Sequence, residues 1–196
     1  MLRKIASAHG ISFEETLTGF KWMGNRAFEL ADEGWEVLFS FEEALGYMFP
    51  NICNDKDGLT AAAVFMVAEG KWRSQGITPY EKLQQLYQTY GYHETLNTYF
   101  RSPSPVATAA LFNGIRGGRY RKGEKLGAFE ILRLRDITEG YDSDTADNKP
   151  ALPVDPASHM LTLWLDRGVV FTLRGSGTEP KVKSRFEWCI LSVFSC

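Results

Sequence analysis

In M-L-T-L-W-L-D-R-G-V-V-F-T-L-R, residues 160–174, two apolar runs flank a short polar turn. The D-R-G turn at 166–168 between two such runs is typical of a β-hairpin. A further strand-like run, F-E-I-L-R-L-R-D-I, precedes the hairpin at 129–137. These runs predict an antiparallel sheet in this half of the chain.

Two other segments complete this half. P-V-A-T-A-A-L-F-N-G-I at 105–115 predicts a helix, and the stretch from Asp142 to Pro156 is rich in Asp, Pro, Ser and Asn, which predicts a long surface loop. The chain from about residue 100 to 196 is therefore expected to be an α+β domain with an antiparallel sheet.

The first half of the chain has a different pattern, in which predicted strands alternate with predicted helices. Asp57 suits an N-cap of an alanine-rich helix that Gly70 could close, and Pro79 precedes a second amphipathic helix. Alternation of this kind predicts an α/β domain with a mixed sheet over residues 1–95. The predicted strands are 13–17 and 35–41, and the predicted helices are 1–10, 57–70 and 80–90.

Composition excludes several classes of protein. The chain has 196 residues, is 44% hydrophobic and carries a net charge of −2, which is ordinary for a soluble globular protein without affinity for nucleic acid or anionic membranes. No apolar run approaches the roughly 18 residues that a membrane span needs. The densest basic stretch, Arg116 to Lys125, is interrupted by glycines and is interpreted as a solvated loop. The oligomeric state is left open.

The cysteines and histidines predict neither a disulfide framework nor a metal site. Three cysteines at wide spacing indicate reduced thiols, which favours a cytoplasmic location. The histidines are scattered without ligand spacing. N-D-K-D-G at 54–58 and D-S-D-T-A-D at 142–147 lack the later ligands of a calcium loop, so no metal ligand is predicted.

The segment R-G-S-G-T-E-P-K at 174–181 has the chemistry of a phosphate-binding loop. Its glycines allow backbone amides to converge on an anion, Arg174 and Lys181 supply positive charge, and Ser176 and Thr178 supply hydroxyls. A plain glycine-rich turn explains the same residues equally well from the physics alone.

Three upstream segments combine turn residues with polar side chains. L-T-G-F-K-W-M-G-N at 17–25 could be a ligand-contacting turn or a corner with Phe20 and Trp22 in the core. F-E-E-A-L-G-Y-M at 41–48 could present carboxylates to sugar hydroxyls or begin a solvated helix. D-K-D-G at 55–58 could hold a ligand or cap a helix.

Taken together and in this order, the four segments resemble the α-D-phosphohexomutase superfamily. They resemble above all its branch of phosphopentomutase/phosphoglucomutase-2 and glucose 1,6-bisphosphate synthase, and R-D-I-T-E-G-Y-D at 135–142 supports the same branch. Superfamily members have four domains around one cleft. The resemblance implies that 1–95 is a partial third domain, which recognises sugar, and that 100–196 is a fourth domain, truncated at its C-terminus, which binds phosphate.

The resemblance also implies which residues contact ligand. Thr18 corresponds to a position that contacts the bisphosphosugar, Glu42 to a glutamate that accepts hydrogen bonds from sugar hydroxyls, and Lys56 to a lysine near the ligand phosphate. The phosphate that is not transferred would be held by a second set of residues, namely Arg174, Ser176, Gly177, Thr178 and Lys181.

The activity implied by the resemblance is that of a sugar-phosphate mutase, an intramolecular phosphotransferase. A phosphoserine donates to a sugar monophosphate, a bisphosphate such as glucose 1,6-bisphosphate forms and turns over, and Mg²⁺ offsets charge on the moving group. The superfamily's T-A-S-H-N phosphoserine motif and D-G-D-x-D-R magnesium loop are both absent from the sequence. No catalytic residue is therefore predicted, and the chain is expected to be an inactive C-terminal fragment of such an enzyme.

Departures from the superfamily pattern keep alternatives open. Gly175 stands where a bulkier residue is usual, and the chain ends on the apolar S-R-F-E-W-C-I-L-S-V-F-S-C, interpreted as a divergent tail. The chain could instead be a non-catalytic sugar-phosphate-binding module or a truncated inactive isoform. The choices between pentose and hexose, and between mutase and bisphosphate synthase, also remain open.

Overall fold

The computed structural model describes residues 1–42, 45–117, 120–176 and 180–190. The chain divides into two compact units, Leu2–Thr89 and the chain from Tyr90 onward together with Met1. The sequence predicted the boundary between the two halves near residue 95, whereas the second unit begins earlier because Tyr92–Arg101 is a strand of its sheet. The predicted fold class, an α/β part followed by an α+β part with an antiparallel sheet, is confirmed.

The first unit consists mainly of helices. A two-stranded antiparallel hairpin, in which Glu42 lies opposite Gly46, is the sheet found among its described residues. A small core of Phe20, Ala27 and Met48 joins this hairpin to the second helix. The elements are α1 (Leu2–Ala8), α2 (Phe20–Asp32), β1 (Ser40–Glu42), β2 (Gly46–Met48), α3 (Gly58–Ser74) and α4 (Pro79–Tyr90).

The helix predictions of the first unit are largely confirmed. Asp57 caps α3 by accepting hydrogen bonds from the amides of Leu59 and Thr60, and Gly10 follows α1 with a φ of +66°. One helix end was predicted wrongly, since α3 continues past Gly70 to Ser74. Glycine terminates a helix only when its backbone turns left-handed, and Gly70 has no positive φ.

Both strand predictions of the first unit were largely wrong. Residues 13–17 form no strand; instead Arg26 on α2 donates to Glu14 at 2.8 Å, and Leu17 is buried. Of 35–41, only Ser40 and Phe41 belong to β1. A strand needs a neighbouring strand for its backbone groups, and among the described residues no strand pairs with 35–39.

The second unit is built on one antiparallel sheet, which has seven strands in the described residues. Their order is β3-β9-β8-β7-β5-β4, and β6 pairs with β5. The predicted hairpin is confirmed, with Arg167 and Gly168 of the D-R-G turn at φ of 57° and 73°. The strands are β3 (Tyr92–Arg101), β4 (Lys125–Leu126), β5 (Phe129–Asp136), β6 (Tyr141–Asp142), β7 (Met160–Leu165), β8 (Val169–Gly175) and β9 (Lys181–Ile190).

The strands β3 and β9 were not predicted. Residues from Ser184 were interpreted as part of a divergent tail, yet Lys181–Ile190 lies inside the sheet between β3 and β8. All ten residues of β3 pair with β9, from Tyr92 opposite Ile190 to Arg101 opposite Lys181. The alternation on β9 becomes clear in the sheet, where Val182 and Ser184 are buried.

One helix, α5 (Pro105–Arg116), covers a face of this sheet. Phe112 of α5 is buried against Leu161, Leu163 and Val182 in the main core. The end of α5 corrects a prediction, because Arg116 was assigned to a solvated loop. Its side chain is instead largely buried and donates to both carboxylate oxygens of Asp136, at 2.7 and 3.3 Å.

Candidate functional site

The predicted phosphate loop lies between the end of β8 and the start of β9. Arg174 and Gly175 are the last residues of β8, and Ser176 follows them. The amide of Ser176 donates to the carbonyl of Lys181 at 2.8 Å, which brings the two ends of the loop together. Arg174, Ser176 and Lys181 are thus placed at one corner of the sheet.

The remaining two predicted residues, Gly177 and Thr178, lie outside the described residues. On the described side, the ammonium group of Lys181 lies 4.8 Å from the ring centre of Tyr99, within range of a cation–π interaction. The Lys181 side chain is therefore directed along the outer edge of the sheet, over β3.

The N-terminal end of α5 lies against this loop, which the sequence did not predict. Ser104 caps α5, and the hydroxyl of Thr108 donates to that of Ser102 at 2.7 Å. Ser102 also donates its amide to the carbonyl of Pro180 at 2.8 Å, tying the loop to the start of the helix. S-P-S-P at 102–105 carries the sequence signal for the cap, because Ser followed by Pro is typical of a helix start.

Gly175 is held on its other side by His159. Its amide donates to the His159 carbonyl at 2.8 Å, and a β-carbon at 175 would lie 3.4 Å from Cβ of His159. The His159 ring stacks on Phe112 with centroids 4.8 Å apart. Burial and the nearby positive charge of Arg116 lower the pKa of His159, so its neutral form is favoured beside the loop. Although Gly175 stands where a bulkier residue is usual in the superfamily, its contacts with His159 hold the start of the loop in place.

The R-D-I-T-E-G-Y-D motif at 135–142 connects β5 to β6. Asp136 accepts the amides of Thr138 and Glu139 inside the turn, and Asp142 is fully buried. Burial alone would raise the pKa of Asp142, but hydrogen bonds led by the 2.9 Å bond from Arg133 outweigh it and lower the pKa. This motif supports the fold of the unit.

In the first unit, the three predicted sugar-contacting residues come from segments that meet at one aromatic ring, that of Phe20. Thr18 is exposed two residues before Phe20 in the turn leading into α2. Glu42 lies opposite Gly46, and a β-carbon on Gly46 would overlap the Phe20 ring. The ammonium group of Lys56 lies 5.7 Å from the centre of the same ring. The fold therefore brings these three segments together.

Two further contacts hold the D-K-D-G loop in place. The amide of Asp57 donates to the Tyr47 carbonyl at 2.9 Å, which joins the loop to β2. Gly24 of α2 lets the loop approach closely, since a β-carbon there would lie 2.5 Å from the carbonyl oxygen of Asn54. The glycines at 24 and 46 were not singled out from the sequence, because their role depends on segments distant along the chain.

The charged groups of the D-K-D-G loop differ in their surroundings. A hydrogen bond from the Thr60 hydroxyl lowers the pKa of Asp57, which keeps the α3 cap ionised. Lys56 is exposed and its ammonium group lies 3.6 Å from Asp55. No hydrogen bond or ion pair joins the Glu42 carboxylate to another protein group among the residues that the structure describes.

Other kinds of site find less support in the part of the chain that the structure describes. Within it, no three His, Cys, Asp or Glu side chains lie together in a group that could hold a metal ion. None of the described helices combines the length and apolar character that a membrane crossing requires. A cavity of about 320 Å³ beside Trp35 and Asn51 is lined by none of the predicted site residues.

Comparison with known proteins agrees with the two-unit division. Residues 1–90 match the family model described as phosphoglucomutase/phosphomannomutase, alpha/beta/alpha domain III. The chain is 43% identical to the phosphoribomutase of Saccharomyces cerevisiae over 96% of its own length, and these residues cover 32% of that protein. The chain belongs to the α-D-phosphohexomutase superfamily.

Two further proteins bear on the branch of the superfamily and on the fold. The glucose 1,6-bisphosphate synthase of Mus musculus is 43% identical over 96% of the chain, covering 31% of that protein. The crystal structure of parafusin, a phosphoglucomutase from Paramecium, in its open form is similar to this chain with a TM-score of 0.59 at 20% sequence identity. The match covers 95% of this chain and 30% of the parafusin chain, and it supports the fold. The chain spans about a third of the length of the curated relatives it matches.

Proposed function

We propose that this chain is the sugar- and phosphate-binding part of a sugar-phosphate mutase that acts on pentose or hexose phosphates through a bisphosphate intermediate. The observation that carries the proposal is the hydrogen bond from the amide of Ser176 to the carbonyl of Lys181, which places Ser176 and Lys181 beside Arg174 at the ends of β8 and β9. Guanidinium, hydroxyl and ammonium groups beside a tight backbone turn are the usual donors to a phosphate.

In this proposal the second unit holds the phosphate that is not transferred. Arg174 gives forked hydrogen bonds to phosphate oxygens, Ser176 donates its hydroxyl, and Lys181 adds a positive charge, with Gly177 and Thr178 completing the loop. A site of this kind can accept a phosphate from either end of the sugar, because it recognises the anion and makes few demands on the ring.

The first unit then recognises the sugar. The Glu42 carboxylate accepts hydrogen bonds from two hydroxyls, Lys56 approaches a phosphate, and Thr18 contributes its hydroxyl from the turn before α2. Phe20 holds the three segments at a common position, which supports their assignment to one site. The names of the relatives support phosphorylated sugars as the ligand class.

The chemical step requires groups beyond those described. The 196-residue sequence contains neither the T-A-S-H-N nor the D-G-D-x-D-R motif, so the isolated chain is expected to bind ligand without turnover. Mg²⁺ and glucose 1,6-bisphosphate belong to the reaction of the complete enzyme in this proposal. A reducing compartment such as the cytoplasm is proposed, since neither Cys53 nor Cys189 is in a disulfide.

Calorimetry with glucose 1,6-bisphosphate tests the proposal on the full 196-residue chain. Binding is expected, weakened about tenfold or more by Arg174→Gln and about five- to tenfold by Glu42→Gln, since each substitution removes a charged partner of the ligand. Arg121→Gln, which changes an exposed arginine outside the loop, serves as the matched control and leaves the affinity unchanged.

Three outcomes separate the alternatives. Binding without turnover in the presence of Mg²⁺ supports a binding part or a non-catalytic binding module. Metal-dependent mutase turnover by this chain alone would contradict the division of roles proposed here. No binding at millimolar ligand would overturn the proposal and leave an inactive truncated isoform as the better description.

A further inference from the structure

The strand β3 forms one end of the sheet in the second unit. Its ten residues pair with β9 on one side, and no described strand pairs with its other side. A strand edge of this length, roughly 33 Å, presents a row of backbone donors and acceptors to another strand. At the opposite end of the sheet, β4 and β6 occupy the two ends of β5, so the described residues leave no edge of comparable length there.

The side chains of β3 are suited to an interface. Residues 95–100, T-L-N-T-Y-F, contain no charge and no proline, and all six are exposed. Proteins usually protect a long strand edge with charges, proline or a covering element. Leu96 and Phe100 are 56% and 60% exposed, and Phe100 lies directly opposite the core residue Val182 on β9. The apolar face of the sheet therefore continues past its core onto a bare strand.

The sequence of β3 is complementary to itself, which favours a second copy of the chain as the partner. When two copies of β3 pair antiparallel about a two-fold axis at Thr98, Leu96 of each copy faces Phe100 of the other. The two Thr98 side chains then face each other. Facing β-carbons in an antiparallel pair lie about 5 Å apart, and apolar pairs and Thr–Thr pairs at this distance stabilise a sheet.

Neighbouring positions of the axis are less favourable. An axis one residue earlier would face Glu94 with Phe100, and an axis one residue later would face Leu96 with Ser102. Each of these positions sets a polar side chain against a large apolar one. With the axis at Thr98, no two like charges face each other along the strand, and both large aliphatic and aromatic pairs are formed.

We propose that β3 is an interface through which two copies of this chain associate, with antiparallel pairing about a two-fold axis at Thr98. The pairing extends the sheet of the second unit from one copy into the other and covers the exposed sides of Leu96 and Phe100. It uses the β3 edge of both copies, so the assembly closes at two. This interface is independent of ligand binding and of the function proposed above.

Oxidative cross-linking tests the register in the 196-residue chain with Cys53, Cys189 and Cys196 replaced by serine. Thr98→Cys is expected to give a disulfide-linked dimer with oxidised glutathione, because facing α-carbons lie about 4.5–5.5 Å apart, within disulfide range. Thr95→Cys is the matched control, an exposed threonine on the same strand. Its counterpart in the second copy lies about 20 Å away along the strand, so no cross-link is expected.

Sedimentation velocity over a range of protein concentrations tests the association itself. The unmodified chain is expected to pass from monomer to dimer as concentration rises. Leu96→Lys is expected to weaken the dimer about tenfold or more, because it replaces an apolar pair by a charge at two symmetric positions. Leu59→Lys, which changes an exposed leucine on α3, is the matched control and keeps the dimer. Unchanged stability of both variants in urea shows that they fold.

Several results would overturn this interface. One is a chain that stays monomeric at every concentration. Another is a dimer that Leu59→Lys weakens and Leu96→Lys does not, because the surface of α3 would then hold the copies together. Equal cross-linking of Thr95→Cys and Thr98→Cys would rule out the register, and growth beyond two copies would rule out closure. None of these results bears on the proposed function, since binding of glucose 1,6-bisphosphate is measured separately.

Discussion

Phe20 lies so close to Gly46 that a β-carbon on residue 46 would come within 2.7 Å of the ring atom Cζ. We expect Gly46→Ala to destabilise the first unit by about 1–3 kcal/mol, because the Phe20 ring is buried and must shift. The same shift displaces Glu42, opposite Gly46, so sugar binding should weaken as well. Urea unfolding and calorimetry measure the two effects.

Gly58→Ala is the matched control for this substitution. Nothing lies within 4 Å of a β-carbon placed at Gly58, the first residue of α3. The control should therefore keep wild-type stability or exceed it slightly. Equal effects of the two alanines would contradict a specific contact between Phe20 and Gly46.

Gly70→Ala is expected to stabilise the chain by about 1 kcal/mol. Gly70 lies inside α3, not at its end, and a β-carbon there meets no atom within 4 Å. Alanine in a helix interior loses less backbone entropy on folding than glycine does. A higher midpoint in urea unfolding, with an unchanged slope, would confirm it, whereas destabilisation would indicate that α3 ends near Gly70 in solution.

The buried pair of Arg116 and Asp136 predicts strong coupling between α5 and β5. Asp136→Asn should cost about 3 kcal/mol in unfolding free energy, because it leaves the Arg116 charge largely buried without its carboxylate. The double variant Arg116→Met with Asp136→Asn should cost less than the sum of the two single changes. Additive costs in this double-mutant cycle would contradict the pairing.

His159 predicts that stability depends on pH near neutrality. Burial and Arg116 lower its pKa below the ordinary value near 6.5, while the Asp136 charge opposes this shift. Below about pH 6.5 the unfolded chain takes up a proton that the folded chain does not, so the free energy of unfolding falls as pH decreases. Linkage limits the loss to about 1.4 kcal/mol per pH unit.

The measurement for His159 is unfolding by urea between pH 5 and 8, compared with His159→Phe. The substitution keeps an aromatic ring against Phe112 and removes the titrating group. The difference in stability between the two proteins should shift in favour of the variant at acidic pH. A difference that stays constant across this range would show that the His159 proton is not linked to folding.

Much of the fold follows from local patterns in the sequence. The cap at Asp57, the amphipathic α4 and the apolar runs around D-R-G each carry their signal within a few residues. The strand β3 carries no such signal, since H-E-T-L-N-T-Y-F-R does not alternate regularly between polar and apolar residues, and the alternation in β9 was overlooked because most of its residues were interpreted as a divergent tail. They become strands because they pair with each other across the length of the second unit, a non-local effect.

The candidate site divides in the same way. The chemistry of Glu42, Lys56 and Arg174 could be predicted from residue type and from resemblance, because the charge and hydrogen-bonding groups of a side chain are known from the sequence alone. The fit between Phe20 and Gly46 could not, because it depends on shape between segments that meet only in the folded chain. The opposition of Arg101 and Lys181 likewise required the strand register.

The exposure of α3 has a practical consequence for anyone who handles this protein. None of its residues is buried, and Leu59, Met66 and Val67 are each more than half exposed. Contiguous apolar surface of this kind adsorbs to hydrophobic resins, brightens the fluorescence of apolar dyes and drives self-association as concentration rises. Dilute samples and mild detergent should therefore improve recovery, and dye binding should report on α3 before any ligand is added.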